Sequence, residues 1–227
     1  MTDRLPGGGI NAVVRVGETV RRPQHPRSPY VHRLLDHLDP WPGAPRFLGI
    51  DEEGREILSF LDGDAAWRQE DQARVRTEAS LRKVAALTRQ LHDLTAGTEL
   101  AGGSEVVCHN DLAPKNTVYR GDEPVAFVDW DLAGPGRRVH DIAHICWQYL
   151  DLGHATVDVA EASRLIGVIC DGYGFEDRGE VIPAILWWQD RCRRGIEAGD
   201  DPAMIRLKES GVPAAIGKAH DWVREHL

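Results

Sequence analysis

The chain has 227 residues, 42% of them hydrophobic and 28% charged, with a formal net charge of −9. That length can bury a sizeable core as one domain or two lobes. The acidic balance argues against a nucleic-acid binder, which shows a basic domain, and suits a cationic small-molecule partner. The start, Met1-Thr2-Asp3-Arg4-Leu5, has no apolar signal region, and no uninterrupted apolar run is long enough to span a bilayer. No membrane partner is expected, and the cytoplasm is the expected compartment. Cys108, Cys146, Cys170 and Cys192 lie far apart among apolar residues with no C-x-x-C pair, so they read as free thiols, not as a disulfide framework or zinc site.

Taken in order, Leu5 to Asn11 is a glycine-rich loop in which Gly7, Gly8 and Gly9 let the backbone approach an anion closely. Ala12 to Val16 and Thr19 to Arg22 read as a hairpin across Gly17-Glu18. The loop from Pro23 then hands over to a helix capped at Ser28, with Pro29 at its first position. Val31, Leu34, Leu35 and Leu38 keep helical spacing and form its buried face. Arg46 to Ile50 and Glu56 to Leu61 read as antiparallel strands across the turn Asp51 to Gly54, and Asp62-Gly63 breaks the chain. Glu70 to Thr95 is one or two helices with the stripe Val84, Leu87, Leu91 and Leu94, stopped at Gly97, and His92 reads as a packing or capping residue.

Chemistry concentrates next. Val106 to Cys108 and Val125 to Val128 are apolar runs of strand length, with Thr117 to Tyr119 a further strand before the turn Arg120-Gly121-Asp122. The first run is followed by Asp111 and the last delivers Asp129 and Asp131. Asp and Asn after a strand are ordinary turn residues. Here acids at the ends of two adjacent strands flank a Pro-stiffened loop holding Asn116. One carboxylate near an attacking hydroxyl, beside oxygen ligands for a hard cation, suits Mg²⁺-assisted phosphoryl transfer. His140 and His144 lie four apart on the next helix, also a metal-pair spacing, but the helix advertises no third ligand. The remainder reads as helical over 157–173, 180–198 and from Pro202 onward, with a break near Gly211-Val212-Pro213.

Leu91-His92-Asp93, His109-Asn110-Asp111-Leu112-Ala113-Pro114-Lys115-Asn116, Val128-Asp129-Trp130-Asp131 and Asp141-Ile142-Ala143 cover the central half of the chain. The spacing His-x-Asp-x-x-x-x-Asn is that of the kinase catalytic loop. On these residues the chain resembles the aminoglycoside phosphotransferase and choline-kinase-like branch of the protein-kinase-like fold. It looks like the small bacterial phosphotransferases of the trifolitoxin-immunity-like type. The resemblance implies an α+β, two-lobed fold: a reduced N-terminal β lobe with one helix over 1–61, then a mainly helical lobe over 62–227 that carries the catalytic loop. It also implies Mg²⁺-dependent transfer of the γ-phosphate of ATP or GTP to a hydroxyl of a small molecule, such as an aminoglycoside, amino alcohol or sugar.

By the same resemblance Asp111 orients or deprotonates the acceptor, His109 braces the loop, and Asn116 and Asp129 hold the metal. Lys115 either neutralises γ-phosphate charge or simply faces solvent, and Gly7, Gly8 and Gly9 grip phosphate with Arg21 or Arg22. The backbone of Ser59, Phe60 and Leu61 pairs with the adenine edge, and Asp141 braces the catalytic loop. The chain departs from the pattern in three ways. The strand after the glycine loop offers Arg21 and Arg22 in place of Lys, and an arginine fork is not interchangeable with a lysine point charge. The helix from residue 28 contains no Glu, and the first strand must be very short or missing. The rival readings are a kinase-fold binding or immunity protein without turnover, and a metal-dependent hydrolase using His109, Asp111, Asp129, His140, Asp141 and His144.

Overall fold

The computed structural model describes residues 2–4 as backbone, and residues 13–153 and 158–227 with their side chains. Gly7, Gly8 and Gly9 lie outside the described residues, as do residues 154–157. The first lobe is a five-stranded antiparallel sheet with one helix. Its elements are β1 (Thr2–Arg4), β2 (Val14–Val16), β3 (Thr19–Arg22), α1 (Ser28–Leu38), β4 (Phe47–Ile50) and β5 (Glu56–Ser59), and the strand order is β1-β2-β3-β5-β4. The first strand is present but only three residues long. In α1 the buried face is the expected Val31, Leu34, Leu35 and Leu38. The cap differs: Arg27 occupies that position, and the Ser28 hydroxyl accepts instead from the His25 N–H at 2.9 Å, closing the preceding turn.

The second lobe follows. β6 (Asp64–Ala65), α2 (Gln69–Val75) and α3 (Glu78–Thr95) lead to β7 (Val106–Cys108), β8 (Thr117–Arg120), β9 (Glu123–Phe127) and β10 (Gly134–Gly136). Five helices complete it: α4 (Arg138–Leu150), α5 (Val159–Tyr173), α6 (Val181–Ala198), α7 (Pro202–Glu209) and α8 (Val212–His226). The Thr77 hydroxyl starts α3 by accepting from Ser80 N at 3.2 Å, and Gly97 ends it with φ of 71°. Gly63 has φ of 136°, and a Cβ there would meet the Tyr119 carbonyl oxygen at 2.4 Å, so only glycine admits the β6–β8 pairing that follows the first lobe.

One continuous apolar cluster, including Leu34, Leu81, Leu91, Phe127, Trp130, Ile142 and Tyr149, runs from α1 through α3 and the central strands into α4. Each fully buried side chain of this size contributes about 1.5–3 kcal/mol. The helices α3 and α5 approach so closely that a Cβ on Gly172 would lie 2.7 Å from the Arg82 Cα. The expectation of two adjacent acid-ended strands needs correction. β7 pairs with β10 in one sheet, and β9 pairs with β8 in another. What brings their ends together is side-chain bracing, described next. Among the described residues no helix is long and apolar enough to cross a membrane, and all four cysteines are free thiols.

Candidate active site

The loop after β7 is fastened by α4. Asp141, wholly buried, accepts from the backbone N–H of His109 at 2.8 Å and of Asn110 at 2.9 Å. His92 Nε2 donates to the same carboxylate at 3.1 Å, leaving Nδ1 to accept from the Tyr173 hydroxyl at 2.8 Å. Burial opposes charge on Asp141, yet the hydrogen bonds from His92 and the Asn110 amide hold its carboxyl below the ordinary value. His144, one turn further along α4, meets the Leu112 carbonyl through Nδ1 at 3.0 Å. His109 supplies the link between the two strand ends. Its Nε2 donates to the Val128 carbonyl at 3.1 Å, and its Nδ1 accepts from the Asp111 N–H at 3.3 Å. Burial lowers the His109 pKa despite Asp141, Asp111 and Asp129 nearby, so the ring is a neutral tie.

These ties place the polar groups. Asn116 Nδ2 donates to the Asp111 carbonyl at 2.8 Å and to its carboxylate at 2.7 Å, so the Asn116 side-chain oxygen is the atom left to meet a cation. Asp129 sits in the left-handed region with φ of 64°, as does Asn110 at 65°. Asp and Asn tolerate this conformation better than other side chains, and such positions concentrate at functional sites. Partial desolvation of its carboxylate, then the charges of Asp131 and Asp111, raise the Asp129 pKa, while Arg22 opposes them. A hard divalent cation bound by oxygens would relieve that repulsion. The residues therefore fit Mg²⁺: Asp129, with a side chain 48% exposed, and Asn116 as ligands beside Asp111.

Of the two candidate arginines, strand alternation sends one to each face. Arg21 turns away from the acidic cluster, bonding Thr19 Oγ1 at 2.6 Å and lying 3.7 Å from Asp51. Arg22 reaches in. Its Nε pairs with Glu56 of β5, its Nη2 lies 2.6 Å from Asp131, and its Nη1 lies 3.6 Å from Asp129. Glu56, 1% exposed, also meets His32 Nε2 of α1 at 2.6 Å, and His32 stacks on Phe47 at 3.7 Å. The absence of Glu from α1 does not mean the absence of an ion pair. The acid comes from the neighbouring strand, in register with Arg22. Sequence reasoning passed over Glu56 and His32; the available signal was an acid at an inward position of β5, sharing a face with buried Leu58.

In the segment expected to face adenine, the Ser59 and Phe60 N–H groups already donate to the Arg46 and Glu18 carbonyls, both at 2.9 Å. Only the Leu61 N–H has no backbone partner among the described residues. An inner strand such as β5 has its amides taken by both neighbours. Lys115 is exposed at the loop surface. His140 stacks on Trp187 at 4.6 Å and its Nδ1 accepts from the Arg137 N–H, so the pair His140/His144 packs and braces. The buried trio His92, Cys108 and Asp141 has metal-ligand spacing, but both His92 nitrogens are hydrogen-bonded and the Cys108 thiol donates to the Arg137 carbonyl at 3.2 Å. On α6, half-buried Cys192 lies close enough to Asp111 for that charge to add to the larger effect of burial, lifting its thiol to about 11.

Comparison with known proteins decides the family. Over 98% of this chain and 94% of the relative, the sequence is 31% identical to the trifolitoxin immunity protein of Rhizobium leguminosarum bv. trifolii. Residues 98–181, which hold the loop after β7, Asp129 and Asp141, match the phosphotransferase enzyme family. The chain belongs to the phosphotransferase enzyme family. Its fold is the kinase-like one. An ethanolamine kinase from Plasmodium vivax superposes with a TM-score of 0.68 at 14% identity, covering 94% of this chain and 81% of that one. An ADP-bound aminoglycoside phosphotransferase gives 0.59 at 13% identity, covering 98% of this chain and 94% of that one.

Proposed function

We propose that this phosphotransferase moves the γ-phosphate of ATP or GTP, with Mg²⁺, to a hydroxyl of a small-molecule acceptor. The observation that carries the reading is the Asp111–Asn116–Asp129 set, held in register by His109 and Asp141. Asn116 and Asp129 would hold the metal, which supplies charge neutralisation on the phosphates. Asp111 accepts or aims the acceptor hydroxyl, with Asn116 Nδ2 fixing its carboxylate. Arg22, anchored on Glu56, faces the phosphates from the first lobe, and exposed Lys115 offers a further cation. Gly7, Gly8 and Gly9 would cover the phosphates, and the Leu61 amide would meet the base. The lobe boundary is drawn at residue 61, with the acceptor against the second lobe.

A second reading keeps the fold for binding alone and is favoured by the immunity named in the trifolitoxin relative. The intact carboxylates of the site weigh toward phosphorylation of a toxic acceptor. The hydrolase reading loses its ligand set, because Asp141, His140 and His144 are engaged in structural bonds.

Thermal shift with nucleotides tests the proposal. Wild type is expected to be stabilised by ATP or GTP more with Mg²⁺ than without, and Asp129→Ala to lose the Mg²⁺-dependent part while still folding. Full retention of that part by Asp129→Ala would refute the metal assignment.

A further inference from the structure

The departure at Arg22 has a geometry that goes beyond gripping phosphate. Four carboxylates, Glu56, Asp111, Asp129 and Asp131, converge on this region. Arg22 is ion-paired with three of them, Glu56, Asp131 and Asp129. The three contacts differ in kind. Glu56 takes Nε from a buried position, and Asp131 takes both Nη atoms, at 2.6 and 3.2 Å. Asp129 lies at 3.6 Å from Nη1, an ion-pair distance and not a hydrogen bond. Asp129 is thus held by charge alone. A competing cation can take it without breaking any hydrogen bond of Arg22, and the Glu56 and Asp131 bonds keep the guanidinium from leaving.

We infer that Arg22 is the cleft's resident counter-ion: it makes the empty site a poor binder of a free divalent cation, so that metal loads together with the nucleotide's own negative charge. The inference rests on the assignment of Asp129 as a metal ligand. It assigns Glu56 and His32 a positioning role, since they fix where the competing charge sits. A lysine in the same place would have one ammonium and no fork with which to span Glu56 and Asp131 together.

The test is direct titration of Mn²⁺ alone, without nucleotide, into the full chain, following free Mn²⁺ by electron paramagnetic resonance. Wild type, Arg22→Gln, Arg22→Lys and Asp129→Asn are compared, each checked for a cooperative melt. Arg22→Gln removes a cation close to the metal position and is expected to tighten Mn²⁺ binding about tenfold or more. Arg22→Lys is expected to tighten it by less, and Asp129→Asn to abolish the site. If Arg22→Gln does not fold, the Lys variant decides, because it keeps the charge on Glu56. Equal or weaker Mn²⁺ binding by the folded Arg22 variants, with binding lost in Asp129→Asn, would overturn the counter-ion role and leave the metal assignment standing. Unchanged binding in Asp129→Asn would overturn both.

Discussion

Replacing Asp141 with Asn tests the brace on which the site's geometry depends. The substitution keeps the size of the side chain but turns one acceptor oxygen into a donor. Three N–H groups, from His109, Asn110 and His92, point at the native carboxylate in a place with no solvent. Even with its oxygen toward His109 and His92, the new amide faces the Asn110 N–H donor to donor. The loss combines one unsatisfied buried donor, at about 1–3 kcal/mol, with the weakening of two charge-assisted bonds to neutral ones. We expect about 3–5 kcal/mol in total, a large share of the roughly 5–15 kcal/mol that holds a typical domain together. For a chain of this size that is a fall in Tm of about 10 °C. Denaturant and thermal melts of Asp141→Asn measure it. Asp93→Asn is the control, because Asp93 is half-exposed and its pairs with Arg89 and Arg138 are surface ones, worth at most about 1 kcal/mol. A loss below about 1 kcal/mol in Asp141→Asn would refute the brace.

Other outcomes follow from single contacts. His109 and His140 have pKa values lowered by burial, so the unfolded chain binds more protons below the ordinary histidine value of about 6.5. Their contribution is complete above that value and declines as pH falls beneath it; denaturant midpoints at about pH 7.5 and 5.5 should show lower stability at the acid end. Gly172→Ala should destabilise by at least about 1 kcal/mol in a thermal melt, although helix propensity alone favours Ala by about that much, because the new methyl meets the Arg82 backbone. Leu91→Ala, at a fully buried position of α3, should cost about 2–5 kcal/mol by denaturant titration.

The parts of the fold that follow from periodicity were legible in the sequence. The apolar face of α1, the stripe of α3 and the short central strands all obey local rules that a chain displays in order. The contact between Asp111 and Asn116 was legible for a different reason: their spacing is fixed by the loop, so the two side chains meet wherever the loop forms. What stayed hidden is long-range. Nothing local says that Glu56 takes the place of an acid on α1, because the pairing depends on β3 and β5 being neighbours in register. Nor does sequence show that β7 and β9 belong to different sheets. Arg21 and Arg22 read alike until the face of the strand is known, and only Arg22 points at Asp129 and Asp131.

Turnover through Asp111 is the central claim, and one assay reaches it most directly. Nucleotide consumption is followed with ATP and GTP in Mg²⁺ against a panel of aminoglycosides, amino alcohols, sugars and small peptides, for wild type and Asp111→Asn. The Asn keeps a side-chain oxygen for the Asn116 amide, so the loop and nucleotide affinity should be preserved. Wild type is predicted to consume nucleotide with at least one acceptor, and Asp111→Asn to be slower by about two to four decades. An Asp111→Asn variant as fast as wild type would contradict the account.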